Sequence, residues 1–267
     1  MSLSEAEALA RRLPKLLLAA ERLAATANPG QHNRRRAGAG DAFWQFRPFA
    51  QGDETRRIDW RRSARADALM IRERESETAT TLLVHLHNNA GLAFRSAKHL
   101  PTKQDSALLL LLATASLVLR AGDRIAVSGA PTTFAGRTAL PKLAQHLINE
   151  SPAPPSSTQR RIEAGDFLRP GQTFTGPPGG AVLHILDPAE QNFCYRGRAI
   201  FSGYGHEPPC EANAAEDWAA AYKTRITAQC DMVRSAAERA GQAYIFHSTA
   251  SPPEEALAAI HKALRKK

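Results

Sequence analysis

The chain has 267 residues, of which 43% are hydrophobic and 6% aromatic, and it carries a formal charge of +9. That length fits one large domain or two modest ones, with enough apolar residues for a core. Its basic balance suits nucleic acid, anionic lipid or an acidic protein, or serves solubility. Cys194, Cys210 and Cys230, odd in number and with no CxxC pair, suggest neither a disulfide framework nor a structural zinc site.

The opening "MSLSEAEALARRLPKLLLAAERL" has carboxylates and arginines where a secretory signal needs an apolar run. With the cysteine pattern, this leads us to expect a cytoplasmic protein. Residues 4–26 read as a helix, with Ser4 as cap, Glu7 three positions on, and Leu9, Leu13, Leu16, Leu17 and Leu23 on an apolar side. "TANPGQHNRRRAGAG" then breaks the pattern. Its Arg34, Arg35 and Arg36 suit either phosphate contacts or a solvated loop.

Residues 41–76 gather Phe43, Trp44, Phe46, Phe49 and Trp60 among many charges. A short strand is predicted within 66–75 and a stronger one over 78–87, where "TATTLLVHLH" is apolar and β-branched. "NNAG", 88–91, closes it with a turn. A helix follows at 102–120, and its run "ALLLLLATASLVL" is too short to span a membrane. No transmembrane segment is therefore predicted, although a basic face leaves peripheral membrane contact open. Residues 121–130 read as turn then strand, with Gly122 ending the helix, and 139–149 as another helix. Residues 151–180 interrupt the order with Pro- and Gly-rich stretches. Strands at 181–187 and 242–247 and helices at 215–240 and 252–265 complete the chain. This alternation predicts an α/β fold with a mostly parallel sheet.

The chemistry-bearing residues concentrate in "FRPFAQGDETRRIDWRRSAR", 46–65. Asp53, Glu54 and Asp59 have the composition for a divalent metal or for acid–base work. Arg47, Arg56, Arg57, Arg61, Arg62 and Arg65 lie among them, and guanidinium forks suit carboxylates. The favoured reading is an ion-pair network in which loss of Asp59 strands an arginine. His85 and His87 share one strand face and have the ring nitrogens for zinc, but no further ligand follows at a recognised spacing. No Walker, dinucleotide or nucleophile-elbow motif is present, and Ser128, Cys194 and the neighbours Ser96, His99 and Asp105 define no catalytic set. No cofactor, metal or catalytic residue is assigned.

The stretch "RPFAQGDETRRIDWRRSARADALMIRERE" resembles the signature of the DUF58 family, whose biochemical function is unknown. Arg47, Pro48, Phe49, Gly52, Asp53, Arg56, Ile58, Asp59, Trp60, Ser63, Ala64 and Arg65 carry the match. Phe49 stands where the family often has tyrosine. The segments "GLAFRSAKHLPTKQDSALLLLLATASLVLRAGDRIAV", "AVLHILDPAEQNFCYRGRAIFSG" and "YIFHSTASPPEEALAAIHKAL" resemble the later parts of a soluble bacterial branch.

The resemblance implies a three-layer fold like the von Willebrand factor A domain, with an N-terminal helical and irregular extension. The implied division is 1–40, 41–78 and 79–267. Such domains often hold a divalent ion on an Asp-x-Ser-x-Ser loop. Here His87, Asn89 and Gly91 take those positions, so the site is degenerate. The family's strand near an "SDFL"-like sequence corresponds to Gly165-Asp166-Phe167-Leu168, but "STQRRIEA" before it is poorly apolar, leaving an altered edge, a deletion or a misread segment open.

The implied function is noncatalytic protein interaction or assembly, with a MoxR-like AAA+ ATPase as partner. Asp53 and Asp59 would brace arginines, hold Phe49 and Trp60, and present Arg61, Arg62 and Arg65. The alternatives are nucleic-acid binding through the basic-aromatic half and a metal-assisted hydrolase using Asp53, Glu54 or Asp59.

Overall fold

The computed structural model describes residues 3–27, 37–50, 53–66, 68–75, 79–149, 159–169, 174, 177–203 and 208–265. They form two compact units, one of residues 1–28 with 81–267 and one of residues 29–80.

Helix α1 (Leu3–Thr26) belongs to the larger unit. Leu13, Leu16, Leu17, Ala20, Leu23 and Ala24 recur at helical spacing and face its core. The helix expected as part of an extension is thus one of the walls of that core. Its apolar stripe would otherwise face water.

In the smaller unit, β1 (Ala37–Pro48) pairs antiparallel with β2 (Met70–Glu75), with Arg47 opposite Ile71 and Pro48 opposite Met70. The segment between them carries a 3-10 turn (Thr55–Arg57) and the one-turn helix α2 (Trp60–Ser63). Ile58 bridges to Ile71, and both are buried.

The larger unit continues through β3 (Thr81–Leu86), α3 (Lys103–Arg120), β4 (Arg124–Val127), β5 (Thr133–Phe134) and α4 (Leu140–Asn149). Next come β6 (Arg161–Gly165), β7 (Ala181–Leu186), α5 (Pro188–Gln191) and a small hairpin of β8 (Ala199–Phe201) and β9 (Cys210–Ala212). Helix α6 (Ala219–Arg239), β10 (Ala243–Ser248) and α7 (Pro253–Arg265) end it.

Six strands form one sheet in the order β10-β7-β6-β3-β4-β5. Every neighbouring pair is parallel except β4 and β5, so the sheet is mixed. Side chains alternate along each strand, which sorts the helices between two faces. On β7, Leu183 and Ile185 join the core shared with α1, α3, α4 and α7. Val182, on the other face, packs with Val233 and Ala237 of α6. Helix α3 is buried nearly all round, from Ala107 to Leu119, as its continuous apolar run requires. Among the described residues, no helix is long and apolar enough to cross a membrane.

One sequence expectation is corrected here. The segment before Asp166 is not a sheet edge: β6 lies between β3 and β7, with all five residues buried. Its polar Arg161 and Glu163 masked the strand signal, because they meet each other at 3.5 Å inside the protein instead of facing water. The crossover from β6 to β7 contains no helix among its described residues.

Candidate functional site

In the 46–65 segment, Arg47 grips Asp53 with both arms of its guanidinium, Nη1 to Oδ2 and Nη2 to Oδ1, each at 2.6 Å. Such a fork–fork pair fixes orientation as well as distance. Asp53 Oδ2 also accepts the Ala50 backbone N–H at 2.8 Å, so one carboxylate closes the turn that follows β1. The Phe49 N–H donates to Leu69 O, tying that turn to the end of the segment.

Asp59 acts differently from the expectation. Its Oδ1 accepts the backbone N–H of Arg62 at 2.9 Å, which makes it the N-cap of α2. Its own N–H donates to Met70 O, and Ser63 Oγ bridges Asp59 O and the Met70 N–H. A short carboxylate next to a helix start satisfies an otherwise orphaned N–H, and that local bond takes the place of an arginine. Losing Asp59 therefore frees a helix end and strands no guanidinium.

The result is a fixed turn with an exposed rim. Trp60 is 65% exposed, and Arg56, Arg61, Arg62 and Arg65 are exposed around it. The Arg62 guanidinium lies 5.1 Å from the Phe46 ring centre, within cation–π range. Phe49 is half-buried. Gly52, the run Arg34–Arg36 and the side chains of Phe43 and Trp44 lie outside the described residues.

A second cluster sits at the carboxyl ends of the sheet. The strand order changes direction between β3 and β6, and in open α/β sheets the crevice at that switch is where ligands bind. Lys103 opens α3 there and is fully buried. Its Nζ donates to Asp166 Oδ2, just after β6, at 3.0 Å and to Glu190 Oε1 of α5 at 2.6 Å. The Phe94 ring centre lies 5.9 Å from the same ammonium.

Neighbouring groups hold the two carboxylates from behind. Asn89 Nδ2 donates to Asp166 Oδ1 at 2.9 Å. The Asp187 N–H donates to Glu190 Oε2 at 2.9 Å, while Asp187 Oδ1 accepts the Ala189 N–H, forming a capping box on α5. Asp187 Oδ2 accepts the Ser96 N–H at 3.0 Å. Phe167, next to Asp166, has φ of 45°, a strained backbone for a non-glycine residue. Its buried ring packs edge-on against Phe174, His87 and His184, which over-determines that conformation.

Histidines line the same strand ends. His87 Nε2 meets Glu163 Oε2 at 2.8 Å, and the His85 ring stands edge-on to His87 at 4.3 Å. Gly165 makes room, since a Cβ there would come within 2.9 Å of His87 Cβ. Burial, then electrostatic interaction with His87 and with Arg161, push the His85 pKa down to about 3. Burial also lowers His184 to about 4, opposed by its interactions with Asp166 and reinforced by the charge of Lys103. His184 Nδ1 lies 2.9 Å from the Tyr244 hydroxyl.

The shared face expected for His85 and His87 is present, and Glu163 joins them. Among the described residues, no three His, Cys, Asp or Glu side chains are placed to hold a metal ion. Asn89 turns to Asp166, and Gly91 is buried in a 3-10 turn. Ser96, His99 and Asp105 are not brought together: Ser96 gives its N–H to Asp187, Asp105 accepts from Arg12 at 2.7 Å, and His99 is exposed.

Sequence reasoning missed Lys103, Asp187 and Glu190. A signal was present. Asp166 and Asp187 each directly follow a strand, and "DPAE" carries the capping-box spacing. Lys103 gave none, because a lysine in a first helical turn reads as solvated.

A family model described as "Protein of unknown function DUF58" matches residues 45–169. It covers the 46–65 segment, Lys103 and Asp166, and supports the family resemblance seen in the sequence. Comparisons with curated proteins and with solved structures find no match.

Proposed function

We propose that the chain is a noncatalytic interaction or assembly component, and that its 46–65 segment is a docking surface for another protein. The observation that carries this reading is Trp60, 65% exposed on a turn held by the Arg47–Asp53 fork and the Asp59 cap. Tryptophan and arginine are the residue types that most often anchor protein interfaces, and a preformed turn lowers the ordering cost of binding. Exposed arginines would speed encounter with an acidic partner. The family resemblance nominates a MoxR-like AAA+ ATPase, in which case ATP hydrolysis belongs to the partner.

The von Willebrand factor A resemblance draws support from the doubly wound mixed sheet and from helices on both of its faces. The hydrolase alternative has less behind it. Of its three carboxylates, Asp53 is engaged by Arg47 and Ala50 and Asp59 by Arg62, while Glu54 is exposed and makes no side-chain bond to the turn it precedes.

The same exposed tryptophan and arginines give the nucleic-acid reading its one specific observation, since bases stack on aromatic rings beside phosphate-binding cations. Calorimetric titration of the purified chain with a purified MoxR-like ATPase, and separately with short oligonucleotides at low salt, separates the two. Binding to the ATPase that weakens in Trp60→Ala supports docking. Salt-dependent binding to oligonucleotides alone moves the assignment to nucleic acid.

A further inference from the structure

We infer that the Lys103 ammonium is a built-in cation at the carboxyl end of the sheet, taking the place where the von Willebrand factor A resemblance would put a divalent ion, so this chain works there without a metal.

The position is defined by topology. The β3–β6 switch brings the loop after β3, the start of α3, the end of β6 and the start of α5 together. Asp166 and Glu190 are buried there, and two buried carboxylates need positive charge close by. Lys103 Nζ supplies it at 3.0 Å from Asp166 and 2.6 Å from Glu190, with no part of the residue exposed.

A divalent ion does not fit beside it. Magnesium requires near-octahedral oxygen ligation at about 2.0–2.1 Å, and calcium takes six to eight oxygens at about 2.3–2.6 Å. Both carboxylates are already engaged through both oxygens: Asp166 by Asn89 and Lys103, Glu190 by Lys103 and the Asp187 N–H. Asn89, at a position where the metal-binding loop pattern has serine, gives its amide N–H to Asp166, and its buried Oδ1, which has no hydrogen-bond partner, is one neutral oxygen, well short of the set a divalent ion needs. His87 is turned to Glu163 at 2.8 Å, and Gly91 has no side chain. An ammonium needs only hydrogen-bond acceptors, and this site supplies two charged ones.

A covalently tethered charge has a consequence. It cannot dissociate, so the strand ends keep their shape in the presence of chelator. Being buried, it also cannot accept a partner's carboxylate as an exposed metal does. This chain therefore needs no magnesium at its own strand ends to bind a partner.

The test titrates Mn²⁺ into the chelator-stripped full chain and reads free Mn²⁺ by electron paramagnetic resonance, alongside Lys103→Ala and Asp166→Asn. The parent is expected to leave Mn²⁺ free, while Lys103→Ala, with the ammonium removed and the carboxylates kept, gains binding at least tenfold stronger. Parent binding that disappears in Asp166→Asn would overturn the inference, as would a folded Lys103→Ala that binds no better than the parent. If Lys103→Ala does not fold, the ¹⁵N-lysine spectrum of the parent decides. A slowly exchanging ammonium signal that is unchanged by magnesium and by chelator supports the tethered cation; its absence, or its loss on adding magnesium, contradicts it.

Discussion

Asp53 and Asp166 are each held by a basic side chain, at 2.6 Å and 3.0 Å, yet they sit in different electrical surroundings. The Arg47–Asp53 side chains keep 34% and 18% of their surface in water. Those of Lys103 and Asp166 keep 0% and 2%. Water screens the first pair and leaves it a small net effect on stability. The second pair has lost its hydration, so removing one partner leaves a buried charge short of its compensation. Distance alone therefore says little about what a pair does. The exposed pair shapes a turn, and the buried pair ties the start of α3 to the end of β6.

The sharpest way to break this contrast is to remove one partner from each side. Lys103→Met leaves Asp166 and Glu190 buried without their cation and should cost about 3–5 kcal/mol in urea unfolding. Asp53→Ala should cost about 1 kcal/mol or less, from a part-exposed pair and one backbone N–H. Similar values for the two variants would collapse the distinction.

Acid probes the buried region next. His85 and His184 have folded pKa values lowered to about 3 and about 4. Their neutral forms are favoured in the fold, so their contribution is full above the unfolded pKa of about 6.5 and falls as pH drops below it. At pH 5.5 each should have lost about 1.4 kcal/mol, one pKa unit of linkage. Replacing His184 with Gln should flatten the stability–pH slope between pH 6.5 and 4; an unchanged slope would remove His184 from the account.

Asp59→Ala should cost about 1 kcal/mol, the usual effect of losing an N-cap. A loss near that for Lys103→Met would mean that Asp59 holds a buried charge after all. The smallest stability effect belongs to Trp60→Ala, within about 0.5 kcal/mol in either direction, because an exposed side chain has little packing to lose.

Apolar pattern made much of the fold readable in advance. The run at 107–119 could only be a buried helix, and "TLLVHL" and "AVLHIL" could hardly be anything but strands. β6 was illegible for a physical reason: Arg161 and Glu163 alternate with Ile162 and Ala164, and a strand that buries its charges looks in sequence like one that exposes them. The 46–65 segment announced itself through its unusual mixture of rings and charges, but not which acid met which group. Asp53 found a guanidinium six residues away, while Asp59 found a backbone N–H three residues on. The Lys103 site joins groups 63 and 87 residues apart, so only the crossovers of the sheet bring them together.

The docking account stands most directly on the affinity of Trp60→Ala for a purified MoxR-like AAA+ ATPase, measured by calorimetry beside its unfolding midpoint. The account expects binding weakened at least tenfold, about 1.4 kcal/mol, with the midpoint unchanged. Undiminished affinity in a folded Trp60→Ala chain would contradict it.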